Sequence, residues 1–131
     1  MPDLAARAPL FLSVLRIVAA LMFMQHGLQK HFGFPEPMPM EIPMWSQVWI
    51  GGWIEVIGGL LLLLGLFTRP VAFVLSGMMA VAYFQFHAAS GGYHPLINKG
   101  ELAALYTFVF LYFVFAGPGP ISLDAKLRKT G

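Results

Sequence analysis

Four long apolar stretches, separated by shorter segments rich in proline, glycine and charged residues, organise this chain. They cover about residues 9–27, 47–67, 70–89 and 101–116. The stretches are continuous rather than alternating, which favours helix over strand, and their lengths suit a hydrocarbon core ~30 Å thick. Only helices or closed barrels satisfy every backbone polar group in lipid. The pattern therefore predicts an all-α protein, an antiparallel four-helix transmembrane bundle that forms a single domain over residues 1–131.

Composition supports a membrane protein and excludes several kinds of chemistry. The chain is 58% hydrophobic and 11% charged, whereas soluble domains are roughly 25% charged. A net charge of +2 is too small to indicate a nucleic-acid partner, so the partner that composition predicts is the lipid bilayer. Because the chain has no cysteine, it has no thiolate nucleophile, redox pair or thiolate metal site of its own.

The basic residues predict the orientation. Loops on the cytoplasmic side of a membrane carry an excess of lysine and arginine. One side of the predicted bundle has Arg7, Arg69, Lys126, Arg128 and Lys129, and the other has Lys30 and Lys99. We therefore expect both termini in the cytoplasm of a bacterium, in its plasma (inner) membrane, with the proline-rich first loop facing outward.

Two charged residues interrupt the apolar stretches. Each charge near mid-helix costs about 2.5–3.5 kcal/mol on insertion scales, so each needs a partner. From the predicted span ends, Arg16 lies roughly 12 Å deep and Glu55 roughly 18 Å deep at the helical rise. Because the charges are opposite and the depths similar, we predict that Arg16 and Glu55 pair and form a buried polar core.

Small residues on the first two spans support this packing. Glycine recurs at intervals of seven in the second span, with Glu55 between two of them, at Gly51, Gly58 and Gly65. One face of the first span also combines small residues with its charge, at Ser13, Arg16, Ala20 and Gly27. Small residues let helix backbones approach closely in membranes.

A second polar group is predicted at the outer boundary: His26, Lys30, His87, Asn98 and Glu101. Helical spacing places Glu101 on the face of Ala104, Phe108 and Tyr112. We interpret His26, His87 and Glu101 as candidate catalytic proton carriers and Lys30 and Asn98 as candidate substrate-binding residues. Titratable groups that converge in a cleft suit a quinone head group or a small anionic sulfur species. The alternative is that these polar residues only fix helix register.

The same boundary offers candidate cofactor ligands. His26 and His87 could ligate a haem from two helices, although their shallow position argues against haem. Soft thioethers suit Cu(I), but the loop with His31, Met38, Met40 and Met44 is more typical of a membrane-surface segment, so no metal site is predicted. A tryptophan stripe at Trp45, Trp49 and Trp53 is either an interfacial anchor or a stacking platform.

Several motifs together resemble the DoxX family of small four-helix bacterial membrane proteins. They are Arg16 with residues 26–30 (HGLQK), residues 55–60 (EVIGGL), 65–70 (GLFTRP), 98–102 (NKGEL) and 117–124 (GPGPISLD). The family takes its name from a subunit of a thiosulfate:quinone oxidoreductase. The resemblance implies a component of a quinone-linked membrane oxidoreductase system, without its own redox centre and with a redox partner protein. A non-catalytic scaffold or assembly partner, a small-molecule transporter and a homo-oligomer stay open alternatives.

Overall fold

The secondary structure of the described chain is entirely helical. A computed structural model describes Asp3–Thr130, and side chains as far as Arg128, so the side chain of Lys129 lies outside the described ones. The main helices are α1 (Ala8–Phe32), α2 (Gln47–Leu64), α3 (Thr68–Ala82), α4 (Glu101–Ala116) and α5 (Leu123–Thr130). Shorter helical segments are Leu4–Arg7, a π-helix at Tyr83–Ala88, Ala89–Gly91 and Pro95–Asn98. The all-α prediction is confirmed.

Among the described residues, three helical segments are long and apolar enough to cross a membrane: Leu4–Phe32, Gln47–Leu64 and Thr68–Gly91. The fourth predicted span coincides with α4, which has 16 residues and is ~24 Å long at the helical rise. That is shorter than a typical core of ~30 Å, so the count of four spans is approximate. The α1 helix continues past residue 27 to Phe32, which places Lys30 and His31 on the helix.

The chain divides into two compact units. The first unit runs to Phe67 and resumes at Pro118, and the second covers Thr68–Gly117. Each contains one antiparallel helix pair, α1 with α2 in the first unit and α3 with α4 in the second.

Glycines set the close approach of α1 and α2. A Cβ at Gly27 would overlap the carbonyl oxygen of Gly52, and one at Gly59 would lie 2.8 Å from the Cβ of Met24. Gly52 and Gly59 make these contacts, and Gly58, which the sequence placed on the glycine seam, is buried beside Glu55, whereas Gly51 is half-buried. On α1 the predicted small face is confirmed, since its four residues are buried.

In the second unit, polar side chains of α3 donate hydrogen bonds to backbone carbonyl oxygens of α4 at two positions along the helices. Ser76 Oγ donates to the Thr107 carbonyl oxygen at 2.7 Å. Arg69 Nη1 donates to the carbonyl oxygens of Val114 (3.1 Å) and Phe115 (2.9 Å), which are C-terminal carbonyls of α4 that lack helical partners. The buried face of α4 consists of Ala103, Tyr106, Phe110 and Phe113.

Replacing Gly27 by alanine should destabilise the first unit by about 1–3 kcal/mol, the usual cost of overpacking, because backbone atoms oppose the new methyl group. Gly77→Ala is the matched control, since nothing lies within 4 Å of a Cβ there and alanine is the better helix former by ~1 kcal/mol. Thermal unfolding in detergent measures both. Equal melting temperatures for Gly27→Ala and the unmodified chain would contradict the packing described.

Candidate functional site

Arg16 is held by carbonyl oxygens rather than by Glu55. Its Nη1 donates to the Pro118 carbonyl oxygen, and Nη2 donates to those of Ile121 (2.7 Å) and Leu63 (3.4 Å). The residue is 1% exposed, and the Asp124 carboxylate interacts with it electrostatically. The guanidinium therefore ties α1 to the end of α2 and to the segment after α4.

Neighbouring residues complete this arrangement. Ser13 Oγ donates to the Pro118 carbonyl oxygen at 3.2 Å and accepts from the Ile121 amide at 3.0 Å. The Asp124 amide donates to the Gly65 carbonyl oxygen at 2.9 Å. We call this set the arginine cluster: Ser13, Arg16, Leu63, Gly65, Pro118, Ile121 and Asp124.

Glycine is required at two positions of the segments that meet Arg16. Gly119 has φ +81° and Gly65 has φ +67°, a region that side-chain-bearing residues rarely adopt. A Cβ at Gly119 would overlap Ser13 Oγ, and one at Gly65 would lie 3.0 Å from Arg16 Cζ. The Gly-Pro-Gly-Pro segment therefore follows α1 closely enough to present its carbonyls to the guanidinium.

The predicted Arg16–Glu55 pair is wrong. Both residues are buried as expected, but Glu55 Oε1 accepts from Lys30 Nζ. The reason is helix register: Gly27 lies against Gly52, which brings Lys30 level with Glu55 and carries Arg16 to the far end of α2. Depths counted from the predicted ends of the spans did not reveal this register. Aligning the glycines of the two helices would have revealed it.

The Lys30–Glu55 pair is a buried charge pair with one accessible member. The Glu55 side chain is 4% exposed and that of Lys30 is 21% exposed. Gly52 makes room for the pair, because a Cβ there would lie 3.2 Å from the Cβ of Lys30. A lysine ammonium has three N–H donors, so a bond to Glu55 leaves capacity for a ligand.

A groove of about 440 Å³ opens beside Lys30. The end of α1, the first loop and the start of α2 line it, through Gln29, Lys30, His31, Gly33, Pro37, Met38, Met40, Glu41, Ile42 and Trp49. It therefore combines a cation, a carboxylate, thioethers and aromatic rings on one surface.

His31 and Trp49, one residue of the tryptophan stripe, both line this groove. His31 Nε2 lies 2.8 Å from the Trp49 carbonyl oxygen, and its ring stacks on Trp53 with centroids 4.2 Å apart. Trp45 and Trp49 follow with centroids 4.7 Å apart. The stripe thus packs against α1 through His31, a contact that sequence reasoning missed.

Metal ligation finds little support in this groove. Met38 and Met40 line it together with His31, as the copper alternative requires, but Nε2 of His31 is already engaged. Among the described residues, no group of three or more His, Asp or Glu side chains is placed to hold a metal ion.

The second unit brings His87 and Asn98 together. Asn98 Nδ2 donates to the Tyr83 hydroxyl (3.1 Å) and the Gly92 carbonyl oxygen (2.8 Å), and Oδ1 accepts from the Gly100 amide (2.8 Å). His87 Nδ1 lies 3.3 Å from the Asn98 carbonyl oxygen. Both amide N–H groups of Asn98 are therefore used within the protein, where they organise the turn before α4.

Glu101 does not face inward. It is exposed, and Phe108 and Tyr112, which helical spacing places on the same face, are 68% and 57% exposed. Because α4 is apolar around most of its circumference, its sequence period could not select the buried face. His26 is half-buried one turn before Lys30 in the first unit, whereas His87, Asn98 and Glu101 belong to the second. The convergence of all five stays a prediction.

Apolar helices of spanning length, packed through glycine contacts around buried charges, define an integral membrane protein. The chain belongs to the DoxX family, which matches residues 11–88, and the resemblance noted in the sequence is confirmed. An uncharacterized protein of Haemophilus influenzae is 47% identical, over 98% of this chain and 99% of the relative. The inner membrane protein YphA of Escherichia coli is 30% identical over 95% of each chain. No solved structure matches significantly.

Replacing Arg16 by methionine should release the segment after α4. Removing one partner of a buried charged network typically costs about 3–5 kcal/mol, and the Ile121 and Asp124 amides, which donate to Ser13 and Gly65, should exchange hydrogen faster. Amide hydrogen exchange followed by mass spectrometry measures this. Glu55→Gln is the control, expected to leave exchange at residues 119–125 unchanged. If Glu55→Gln accelerated exchange as much as Arg16→Met does, the result would contradict these contacts and support an Arg16–Glu55 pair.

Proposed function

We propose that the chain is a quinone-binding component of a membrane oxidoreductase system. The observation that supports this proposal is the Lys30–Glu55 pair, buried between α1 and α2 yet open to the groove on the Lys30 side. A flat head group with carbonyl oxygens suits this surface, because Lys30 offers hydrogen-bond donors and the groove offers aromatic and thioether contacts.

The two charges have different chemical roles in this proposal. The Lys30 ammonium donates a hydrogen bond to a quinone oxygen and stabilises the negative charge that develops on it during reduction. Reduction to the quinol takes up two electrons and two protons. One proton passes to that oxygen from the Lys30 ammonium, and Glu55, which accepts a hydrogen bond from Lys30 and does not itself line the groove, exchanges protons with the ligand through Lys30. The electrons come from the redox centre of a partner protein.

Further residues support binding rather than electron transfer. Trp49 lines the groove, and its ring offers a face against which a quinone ring can pack. Met38 and Ile42 supply adaptable apolar contacts on the loop side. His26, one turn before Lys30 on α1, is the second proton carrier in the proposal. The proton-carrying roles of His87 and Glu101, which belong to the second unit, stay predictions.

Quinone binding can be tested through quenching of tryptophan fluorescence by a short-chain quinone in detergent. The double variant Lys30→Gln, Glu55→Gln removes both charges together, so no unpaired charge stays buried. Its affinity should fall by about tenfold, the equivalent of ~1.4 kcal/mol and the lower range for a hydrogen bond to a charged group. Glu55→Gln alone keeps the Lys30 hydrogen-bond donor, so the quinone affinity of this variant should change by less than about threefold.

Glu36→Gln is the matched control, since it removes an exposed carboxylate of the same loop outside the groove lining. An unchanged titration in the double variant would contradict the proposed site. Quenching that does not saturate in any variant would favour the scaffold alternative. The arginine cluster, whose known contacts all lie within the protein, also suits that alternative.

We further propose that the chain lies in the bacterial inner membrane with both termini cytoplasmic. Support comes from the distribution of lysine and arginine and from the E. coli relative described as an inner membrane protein. Because the chain lacks cysteine, single replacements Glu36→Cys and Arg128→Cys report each side with a membrane-impermeant maleimide. Residue 36 should label before permeabilisation of the inner membrane and residue 128 only afterwards. The reverse order would contradict the orientation.

A further inference from the structure

A second groove, of about 410 Å³, lies where the chain enters α4. It is lined by Pro95, Leu96, Lys99, Glu101, Leu102 and Leu105. Two opposite charges therefore lie two residues apart on one apolar surface. These residues belong to the second unit, so the groove shares no residue with the Lys30–Glu55 pair, and its ligand does not depend on quinone binding.

Lys99 and Glu101 carry the two charges of this groove. Over the part of the chain that the structure describes, neither the ammonium of Lys99 nor the carboxylate of Glu101 has a hydrogen-bond or ion-pair partner. Both residues are exposed. Lys99 and Glu101 are two residues apart, carry opposite charges and both line the groove. Because neither has a partner among the described residues, a ligand with one negative and one positive group can bind both.

The backbone at Lys99 is a separate observation. Lys99 has φ +62° and ends the helical turn Pro95–Asn98 in the left-handed region. Glycine adopts this conformation freely, whereas residues with a Cβ rarely do. Gly100 follows directly, so the chain places a cation at the position where glycine would be less strained. Strain of this kind often accompanies binding sites.

An apolar stripe leads away from the groove along α4. Leu105, Phe108, Tyr112 and Phe115 recur at intervals of three and four and are each more than half exposed. The stripe is ~15 Å long at the helical rise, which equals half of a hydrocarbon core of ~30 Å. The stripe is therefore as long as the acyl chains of one membrane leaflet, and such chains can lie along it when their head group occupies the groove.

We infer that this groove binds the head group of a phosphatidylethanolamine lipid, with the phosphate on Lys99 and the primary ammonium on Glu101. The phosphate accepts hydrogen bonds from the lysine, and the carboxylate accepts them from the ammonium, so both contacts are charge-assisted. Phosphatidylglycerol lacks the cation, and phosphatidylcholine lacks N–H donors. The acyl chains lie along the exposed stripe of α4.

Native mass spectrometry of the full chain, released from nanodiscs with equal amounts of phosphatidylethanolamine, phosphatidylcholine and phosphatidylglycerol, tests this inference. All three lipids carry the same acyl chains. The unmodified chain should retain phosphatidylethanolamine at least about fivefold over each of the others. Lys99→Gly, whose glycine accepts the left-handed backbone without strain, and Glu101→Gln should each abolish that preference.

Arg128→Gln and Glu36→Gln are the controls, since each removes one exposed charge elsewhere, and both should keep the preference. Equal retention of phosphatidylcholine and phosphatidylethanolamine by the unmodified chain would overturn the role of Glu101. Preferred retention of phosphatidylglycerol would overturn the zwitterionic site. A preference that persists in Lys99→Gly would place the lipid elsewhere on the protein.

Discussion

An ionisable side chain inside a hydrocarbon layer is stable only where protein groups replace the water that it loses. This constraint explains more of the structure than any other. Arg16 meets it with carbonyl oxygens from two segments and with the nearby carboxylate of Asp124. Glu55 meets it with the ammonium of Lys30. The glycines of α1 and α2 serve the same need, because only close helix packing brings these partners within reach.

The two buried charges have different consequences. Arg16 binds carbonyl oxygens of the backbone, and these contacts hold the first unit together. Lys30 has one partner in Glu55 and is partly open to a groove, so its surroundings can change when a ligand arrives. The sequence predicted that Arg16 and Glu55 pair in one buried polar core. In the structure Arg16 binds backbone carbonyls and Glu55 binds Lys30, and the quinone proposal is built on the Lys30–Glu55 pair.

Sequence reasoning recovered the helices well and the contacts between them less well. Apolar length and helix-ending glycines are local signals, so the bounds of α4 and the buried face of α1 were predicted correctly. Partners of Arg16 were missed because they are backbone carbonyls, two of them more than a hundred residues away, and no side-chain pattern reveals such partners. The grouping of Glu101 with His26 and His87 stays a prediction, because α4 offers no polar side that orients it in the sequence. Lys30 was recognised as important but given no partner.

The discontinuous make-up of the first unit has a consequence for biosynthesis. Arg16 is made more than a hundred residues before Pro118 and Ile121, which accept its hydrogen bonds. During membrane insertion the guanidinium must therefore depend on water, phospholipid head groups or the insertion machinery until these two residues emerge. The second unit, which is continuous in sequence, has all its own contacts available before that moment. The α1 helix therefore completes its contacts only after the whole second unit has been made.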